Sequence, residues 1–433
     1  MAASLDSPLT LPNGAVIPNR IAKAAMTEGL ARPDGCPTLA LDKLYRLWSE
    51  GGAGLLISGN IMIDGDHLER PGNVIIDGES IDDALPILSE WAQNATVGDN
   101  HFWAQLSHSG RQTTKLVNPE PKAPSAVKLA LPGGQFGSPV ALTAEEIGDV
   151  VTRFATAARI TKRAGFTGVQ IHAAHGYLLS SFLSPRANVR TDDYGGSLAN
   201  RARILLDTVT AVRRVVGDGF PIAVKLNSAD FQRGGFAFED SLQVAQWLAD
   251  AGVDLLEISG GTYEQPKLLG VEGIEAEEPQ NIAPSTAKRE AYFVDFAKAM
   301  QDSVSVPLMV TGGFRSRAAM DYALESGAAD MIGLGRPMCV MPDAPGQLLA
   351  GTVDRLPAPE AGLRLLPPSL SWLRSIQMLK ALDTFAVQYW FYGQIYALAE
   401  NGEMDPELTP FQAFRMVEKR NKQLMAARNR IKR

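Results

Sequence analysis

Cysteine is nearly missing from this 433-residue chain, with Cys36 and Cys339 the only two. That leaves no disulfide framework, no cysteine set for an iron–sulfur cluster and no zinc-ribbon spacing, and it leads to the expectation of a reducing, cytoplasmic compartment. Excess positive charge is missing too. With a formal net charge of -7 at pH 7, the broad basic face of a nucleic-acid binder is not expected. No uninterrupted apolar run reaches the roughly 20 residues of a membrane span. Met1 to Pro8 lacks the basic and then apolar sections of a secretory signal. The first apolar run is not followed by Gly-x-Gly-x-x-Gly, which counts against a doubly wound dinucleotide fold. What is present is a chain 45% hydrophobic and 21% charged, long enough for one large barrel with an appendage or for two domains.

Short apolar runs recur, each followed by a loop and an amphipathic helical pattern. The runs predict strands over Arg20 to Ala25, Gly54 to Gly59, Phe102 to Leu106, Gly168 to Ile171, Ile222 to Leu226, Leu255 to Ser259, Pro307 to Thr311 and Met331 to Gly335. Helices are predicted over Leu39 to Ser49, Ile81 to Val97, Ala144 to Ala164, Asn200 to Val216, Glu239 to Ala251, Lys288 to Asp302 and Ser316 to Ser326. Thr143 three residues before Glu146, and Gly252 after Ala251, are start and stop signals. Eight parallel strands with helical crossovers close most naturally into an α/β (β/α)8 TIM barrel. The repetition stops near residue 360, so the expected domains are a barrel over 1–360 and a helical C-terminal extension over 361–433.

In such a barrel, chemistry collects at the C-terminal ends of the strands. Thr27, Asn60, Gln105, His172, Lys225, Gly312-Gly313 and Gly335-Arg336 fall at or just past the ends of different predicted strands, so one mouth would gather them. His172-Ala173-Ala174-His175-Gly176-Tyr177 places two imidazoles and a phenol together. On a strand, residues three apart face opposite sides, so the histidines converge only if the chain turns near Gly176 or becomes helical. Two N–H groups aimed at one oxygen would polarise it, and Tyr177 would supply a proton. Taken alone, His-x-x-His is usually a packing or chance pair. After the last two strands, Gly312, Gly313, Gly335 and Arg336 suit a phosphate. A ligand seated there would reach toward Lys225, Gln105 and Thr27, groups that suit the edge of a heterocycle gaining electrons. Lys225 as one half of an ordinary barrel ion pair is the alternative.

Two inserts interrupt the repeat. Arg111 to Leu142 is rich in proline and glycine and is expected to cover the mouth or reach a neighbour, or to be an ordinary loop. Tyr263 to Pro284 is acidic and reads as a lid or a solvated loop. The apolar stretch from Phe385 to Tyr392 is too short for a bilayer and is expected to pack on the barrel or at a homo-oligomer interface. The basic residues Lys419, Arg420, Lys422, Arg428, Arg430, Lys432 and Arg433 are expected to form a solvated helix end.

The run from Ile171 through His172, His175, Gly176, Tyr177 and Leu178, then Phe182 to Pro185, Asn188 to Asp192, Tyr194 to Ser197 and Asn200-Arg201, resembles the old yellow enzyme family of FMN-dependent ene-reductases, also called NADH:flavin oxidoreductases. The resemblance spans roughly Leu9 to Pro342, with further matches at Asn19 to Ile21, Met26-Thr27, Ala104 to Leu106, His108, Gly110-Arg111 and Leu334 to Arg336. It implies non-covalent FMN at the barrel mouth, NADH or NADPH as hydride donor, and a small electron-poor alkene such as an enone as substrate. Ala25, Met26, Thr27, Asn60, Gln105 and Lys225 would line the flavin, and Gly312, Gly313, Gly335 and Arg336 would hold its phosphate. His172 and His175 would bind the substrate's activating oxygen, and Tyr177 would protonate its α-carbon. Ala25 stands where the family usually has proline, Asn60 where it has a small residue and Lys225 where it has arginine; lysine lacks arginine's planar fork. The rival readings are a metal-dependent barrel lyase or isomerase using His172 and His175, and a non-catalytic scaffold acting through its tail.

Overall fold

A computed structural model of the chain describes residues 3–78, 84–129, 131, 134–259, 297–365 and 377–431, with 377–385 described in backbone only. Eight parallel strands form the centre: β1 (Ile21–Lys23), β2 (Leu55–Met62), β3 (His101–Ser107), β4 (Gly168–Ala173), β5 (Ile222–Asn227), β6 (Leu255–Ser259), β7 (Leu308–Thr311) and β8 (Met331–Leu334). They pair in chain order, and β8 pairs with β1, which closes the barrel. Nearly every strand residue is buried, because one face meets the barrel interior and the other the helices. Outward residues Ile21, Leu56, Phe102, Ile171, Val224, Leu256, Leu308 and Ile332 join the helical layer in one core. Inward residues Ala22, Leu55, Ile57, Trp103, Ala223, Leu255, Met309 and Met331 form a second core with Leu9, Leu11 and Ile17. Leu9–Thr10 and Val16–Ile17 pair as a short antiparallel hairpin, which therefore plugs the N-terminal end of the barrel. The open end is the other one.

Crossover helices α1 (Leu39–Glu50), α2 (Leu85–Asn94), α3 (Ala144–Arg163), α4 (Leu198–Val216), α5 (Phe238–Asp250) and α6 (Arg317–Glu325) surround the sheet. Thr143 and Glu146 form the expected capping box on α3. Seven of the eight strands differ from expectation at one end or both, most by one or two residues, and β4 runs on to Ala173, so that His172 lies inside it. Arg20 does not extend β1: its backbone N–H donates to the Leu5 carbonyl at 2.8 Å, and its guanidinium donates to the carbonyls of Ser7, Pro8 and Asp330. A bulge between Ile57 and Asn60 carries β2 on to Met62, so Asn60 lies within a strand and not past its end. The start predicted for α2, Ile81 to Asp83, lies outside the described residues, as do Tyr263 to Pro284 and most of the helix predicted over Lys288 to Asp302, of which 297–301 are helical.

Two tail helices, α7 (Gln377–Asn401) and α8 (Pro410–Ile431), follow. No described helix is long and apolar enough to cross a membrane. The tail packs on the loops that follow β1 and β2. Buried Arg70 donates to Tyr396 Oη at 2.7 Å and stacks 3.9 Å over the Tyr392 ring. Arg420 lies 4.9 Å over Tyr396 and donates to the Gly29 carbonyl, while Arg428 donates to the carbonyls of Pro33 and Gly65. The expectation of a solvated basic end is therefore corrected for these two arginines, whose charges are spent on carbonyls of the barrel loops; Lys432 and Arg433 lie outside the described residues. Replacing Arg70 by alanine should cost on the order of 3 kcal/mol, because a cation–π contact and a charged hydrogen bond are both lost in a buried setting. Chemical denaturation measures it, and a loss under about 0.5 kcal/mol, as at an ordinary surface site, would show that the tail is not held this way.

Candidate active site at the barrel mouth

Strand β4 ends at Ala173, and the chain reverses through two residues with left-handed backbone, His175 at φ 62° and Gly176 at φ 80°. The turn is closed by the Tyr177 N–H donating to the Ala174 carbonyl at 3.3 Å, and a short helix over Leu178–Leu183 follows. A positive φ is costly for histidine. It is held by the Asn227 side chain, which accepts from the His175 N–H at 3.0 Å, and by Gln112, which donates to the His175 carbonyl at 2.9 Å. Gln112 belongs to the Arg111 to Leu142 insert, which thus packs beside the mouth. The result brings the predicted trio together: the His172 ring centroid is 5.2 Å from that of His175 and 4.8 Å from that of Tyr177, each pair near perpendicular.

His172 is 3% exposed, and its Nδ1 accepts from the Ala174 N–H at 3.2 Å. Its proton is therefore on Nε2, which makes that atom a donor. Burial, then the neighbouring His175 and Lys225, push its pKa well below the usual 6.5. His175 pairs through Nε2 with the Ser259 hydroxyl at 2.6 Å, and burial with help from Lys225 lowers it to about 3. Both imidazoles are neutral at physiological pH, able to polarise an oxygen without carrying charge.

Beneath them runs a buried polar chain. Lys225 on β5 lies in register with His172 on one side and Glu257 on the other. Its ammonium is 2.7 Å from Glu257 Oε1; Gln170 Nε2 donates to Glu257 Oε2 at 2.7 Å, and Gln105 Nε2 donates to Gln170 Oε1 at 2.7 Å. The ion-pair reading of Lys225 is correct as geometry, and its carboxylate is one that sequence reasoning missed. Glu257 stands alone as a charge inside the apolar run Leu255 to Ser259, two residues from inward-facing Leu255; that pattern was the available signal. Ser259, Gln170 and Asn227 were missed as well.

The loop after β1 carries half-buried Ala25, Met26 and Thr27. Thr27 Oγ1 accepts from Asn60 Nδ2 at 3.3 Å. Behind the loop, fully buried Lys23 donates to Tyr45 Oη at 3.1 Å and to the Ile57 carbonyl at 2.8 Å, Tyr45 donates to Glu28, and the Gly59 N–H donates to Glu28 at 3.0 Å. This network pins the segment from 25 to 28. Across the mouth, Gly312 and Gly313 adopt φ 126° and 81°, and Arg336 follows β8. Arg336 Nη1 is 3.3 Å from Glu360 Oε1, and Arg315 Nη2 is 2.6 Å from the same oxygen. Burial would raise the Glu360 carboxyl, but Arg336 and Arg315 hold it below its ordinary value.

A second cluster lies outside this site: Asp64, His67 and His108, whose ligand-type atoms lie within 4.8 Å of one another. His67 Nε2 accepts from the Lys122 N–H at 2.8 Å, and His108 Nδ1 from the Gly110 N–H at 3.1 Å. Both rings therefore turn a protonated nitrogen toward Asp64, at 2.9 Å and 3.8 Å. Metal-bound histidine needs the opposite arrangement, with the distal nitrogen donating. The cluster is built to hold a carboxylate anion. Burial would raise the Asp64 carboxyl, but the His67 hydrogen bond and the electrostatic effect of the nearby His108 hold it below its usual range. His172 and His175 form no metal-type group with a carboxylate or thiolate among the described residues.

Two outcomes follow. Added zinc or a chelator should leave the melting temperature unchanged; a stoichiometric rise with zinc would refute the tautomer assignment. Stability should also fall as pH drops from 6.5 toward 3. His172, His175 and His108, the last lowered to about 3 by burial and then His67, stay neutral when folded but take up protons when unfolded, and linkage then favours the unfolded chain. A melting temperature flat between pH 6.5 and 4 would contradict those shifts.

The chain matches the NADH:flavin oxidoreductase / NADH oxidase family over residues 4–354. It is 35% identical over 420 residues to the NADH-dependent flavin oxidoreductase iccE of Talaromyces variabilis, covering 92% of this chain and 99% of that one. It is 38% identical over 355 residues to iliE of Neonectria sp. (strain DH2), covering 78% of this chain but only 46% of that one. Among solved structures, the old yellow enzyme homologue from Zymomonas mobilis superposes with TM-score 0.68 at 26% identity, covering 84% of this chain and 97% of the other. Morphinone reductase gives TM-score 0.66 at 26% identity, covering 83% and 93%. The barrel, its mouth and these likenesses agree: the chain belongs to the NADH:flavin oxidoreductase / NADH oxidase family, the old yellow enzyme family of FMN-linked oxidoreductases.

Proposed function

We propose that this protein takes hydride from NADH or NADPH and uses it to reduce the activated C=C bond of an α,β-unsaturated carbonyl or similar electron-poor alkene. The convergence of His172, His175 and Tyr177 on one mouth carries the reading. FMN, when bound, supplies two-electron chemistry, accepting hydride from the nicotinamide and passing it to the alkene.

The residues present fit that group. Asn60 Oδ1, within β2, and Thr311 Oγ1, at the end of β7, are buried without a hydrogen-bond partner among the described residues, as polar groups meant for a ligand would be. Gly312 and Gly313, with positive φ, follow β7, and Arg336 follows its paired neighbour β8, an arrangement that suits a phosphate. In the proposal, Gly312, Gly313, Gly335 and Arg336 hold the phosphate, and Ala25, Met26, Thr27, Asn60, Gln105 and Lys225 line the ring system.

His172 donates from Nε2–H to the substrate's carbonyl oxygen, drawing electrons from the double bond. The neutral state matters: a neutral donor stabilises charge that develops on the oxygen without adding a second buried cation beside Lys225. His175, tied to Ser259, is the second contact on that oxygen. Tyr177, 4% exposed, delivers the proton to the α-carbon. In this reading residues 1–360 form the catalytic unit, 361–433 brace its loops, and the two free cysteines accord with a reducing, cytoplasmic setting. A metal-dependent reaction at His172 and His175 is disfavoured, because His172 Nδ1 accepts from the Ala174 N–H, which leaves the proton on the nitrogen a metal would need, and His175 Nε2 is already paired with Ser259. A scaffold acting through a free basic tail is disfavoured by the carbonyls that Arg420 and Arg428 bind.

Purified protein should be yellow, bleach anaerobically with a nicotinamide and regain colour with an enone. Tyr177→Phe should slow the alkene half-reaction about a hundredfold and leave flavin reduction within about twofold. Equal losses in both halves would remove Tyr177 from the proposed role. His172→Ala should cost the alkene step a hundredfold or more, on the order seen for one lost oxyanion donor; unchanged alkene reduction would rule out its contact with the oxygen.

A further inference from the structure

Glu257 and Gln170 take no part in the proposed reaction, yet both are fully buried polar side chains in the barrel interior. Strands β3, β4, β5 and β6 contribute one residue each to an unbroken chain, Gln105, Gln170, Lys225 and Glu257. Resting on the flavin reading above, we propose that Glu257 is a positioning residue: it balances the Lys225 charge and, through Gln170, sets which way the Gln105 amide faces.

The direction of every bond follows from the carboxylate. An ionised Glu257 can only accept, and it does so with both oxygens: Oε1 from Lys225 and Oε2 from Gln170 Nε2. Committing the Gln170 nitrogen to Glu257 leaves its Oε1 as an acceptor, which must then face the Gln105 nitrogen at 2.7 Å. The Gln105 oxygen is left over for the ligand. Flipping either amide would set oxygen against oxygen or nitrogen against nitrogen, each leaving buried polar groups unsatisfied. The mouth therefore presents a fixed acceptor at Gln105 and a cation at Lys225 whose charge is half spent beneath the site. Reduction of a flavin adds negative charge, so a balanced Lys225 favours the reduced ring less than a lone ammonium would.

The test compares wild type, Glu257→Gln and the double variant K225M/E257Q. It measures the apoprotein melting temperature, the Kd for oxidised FMN by fluorescence titration, and the midpoint potential by anaerobic dye equilibration. Glu257→Gln should weaken oxidised FMN about tenfold, because its own amide lets the chain flip. It should also raise the potential by about 30 mV, the two-electron equivalent of a tenfold gain for reduced over oxidised flavin. In the double variant the charge is balanced again, so the potential should return toward wild type while the tenfold loss of oxidised FMN persists. Potentials and Kd values equal to wild type in Glu257→Gln would overturn the proposal. If that variant does not fold, the double variant decides: a wild-type Kd for oxidised FMN overturns it. Wild-type protein that binds no FMN would sink the flavin reading and this proposal together, an outcome separate from variants that bind FMN as wild type does.

Discussion

A closed ring of parallel strands has to fill its own interior, and here the filling changes character along the strands. At the plugged end it is apolar, from Leu55, Trp103, Leu255 and Met331 together with the hairpin residues Leu9 and Ile17. One layer higher, Gln105, Gln170, Lys225 and Glu257 meet where water is excluded. Polar groups in that position must satisfy one another or a ligand. They satisfy one another almost completely, and the surplus capacity faces the open end. The site is a consequence of how the barrel is filled as much as of its loops.

The electrostatic balance follows from the same burial. One cation, Lys225, is matched by one carboxylate, and two imidazoles nearby are kept neutral partly by that cation. Across the mouth, the guanidinium groups of Arg315 and Arg336 share Glu360. Lys225, Arg315 and Arg336 thus each have a protein counter-charge beside them, which holds these donors in place before any ligand arrives. The tail contributes at one remove: Arg70, Arg420 and Arg428 fasten it to the loops after β1 and β2, and the first of those loops carries Met26 and Thr27.

The fold was legible because eight strands buried on both faces read as continuous apolar runs, and capping signals such as Thr143 with Glu146 mark real helix starts. The histidine cluster was legible because three reactive side chains fall within six residues. The turn that joins them was read only in part: Gly176 was foreseen, but a left-handed His175 depends on Asn227 and Gln112, far away in the chain. Glu257 escaped for a related reason, since a carboxylate inside a strand gains meaning only when the register sets it beside Lys225. In the basic end, Lys419, Lys422 and Arg430 are exposed as expected, but Arg420 and Arg428 were misjudged because their partners are backbone carbonyls, which leave no trace in composition.

The central claim is that the mouth offers an uncharged imidazole donor, His172 with its proton on Nε2, beside a balanced lysine. Long-range proton–nitrogen correlation spectra of 15N-histidine-labelled protein, assigned with a His172→Gln variant, measure this directly. At pH 6 the account predicts a neutral His172 ring in the Nε2–H tautomer. An imidazolium signal, or a proton on Nδ1, would contradict it.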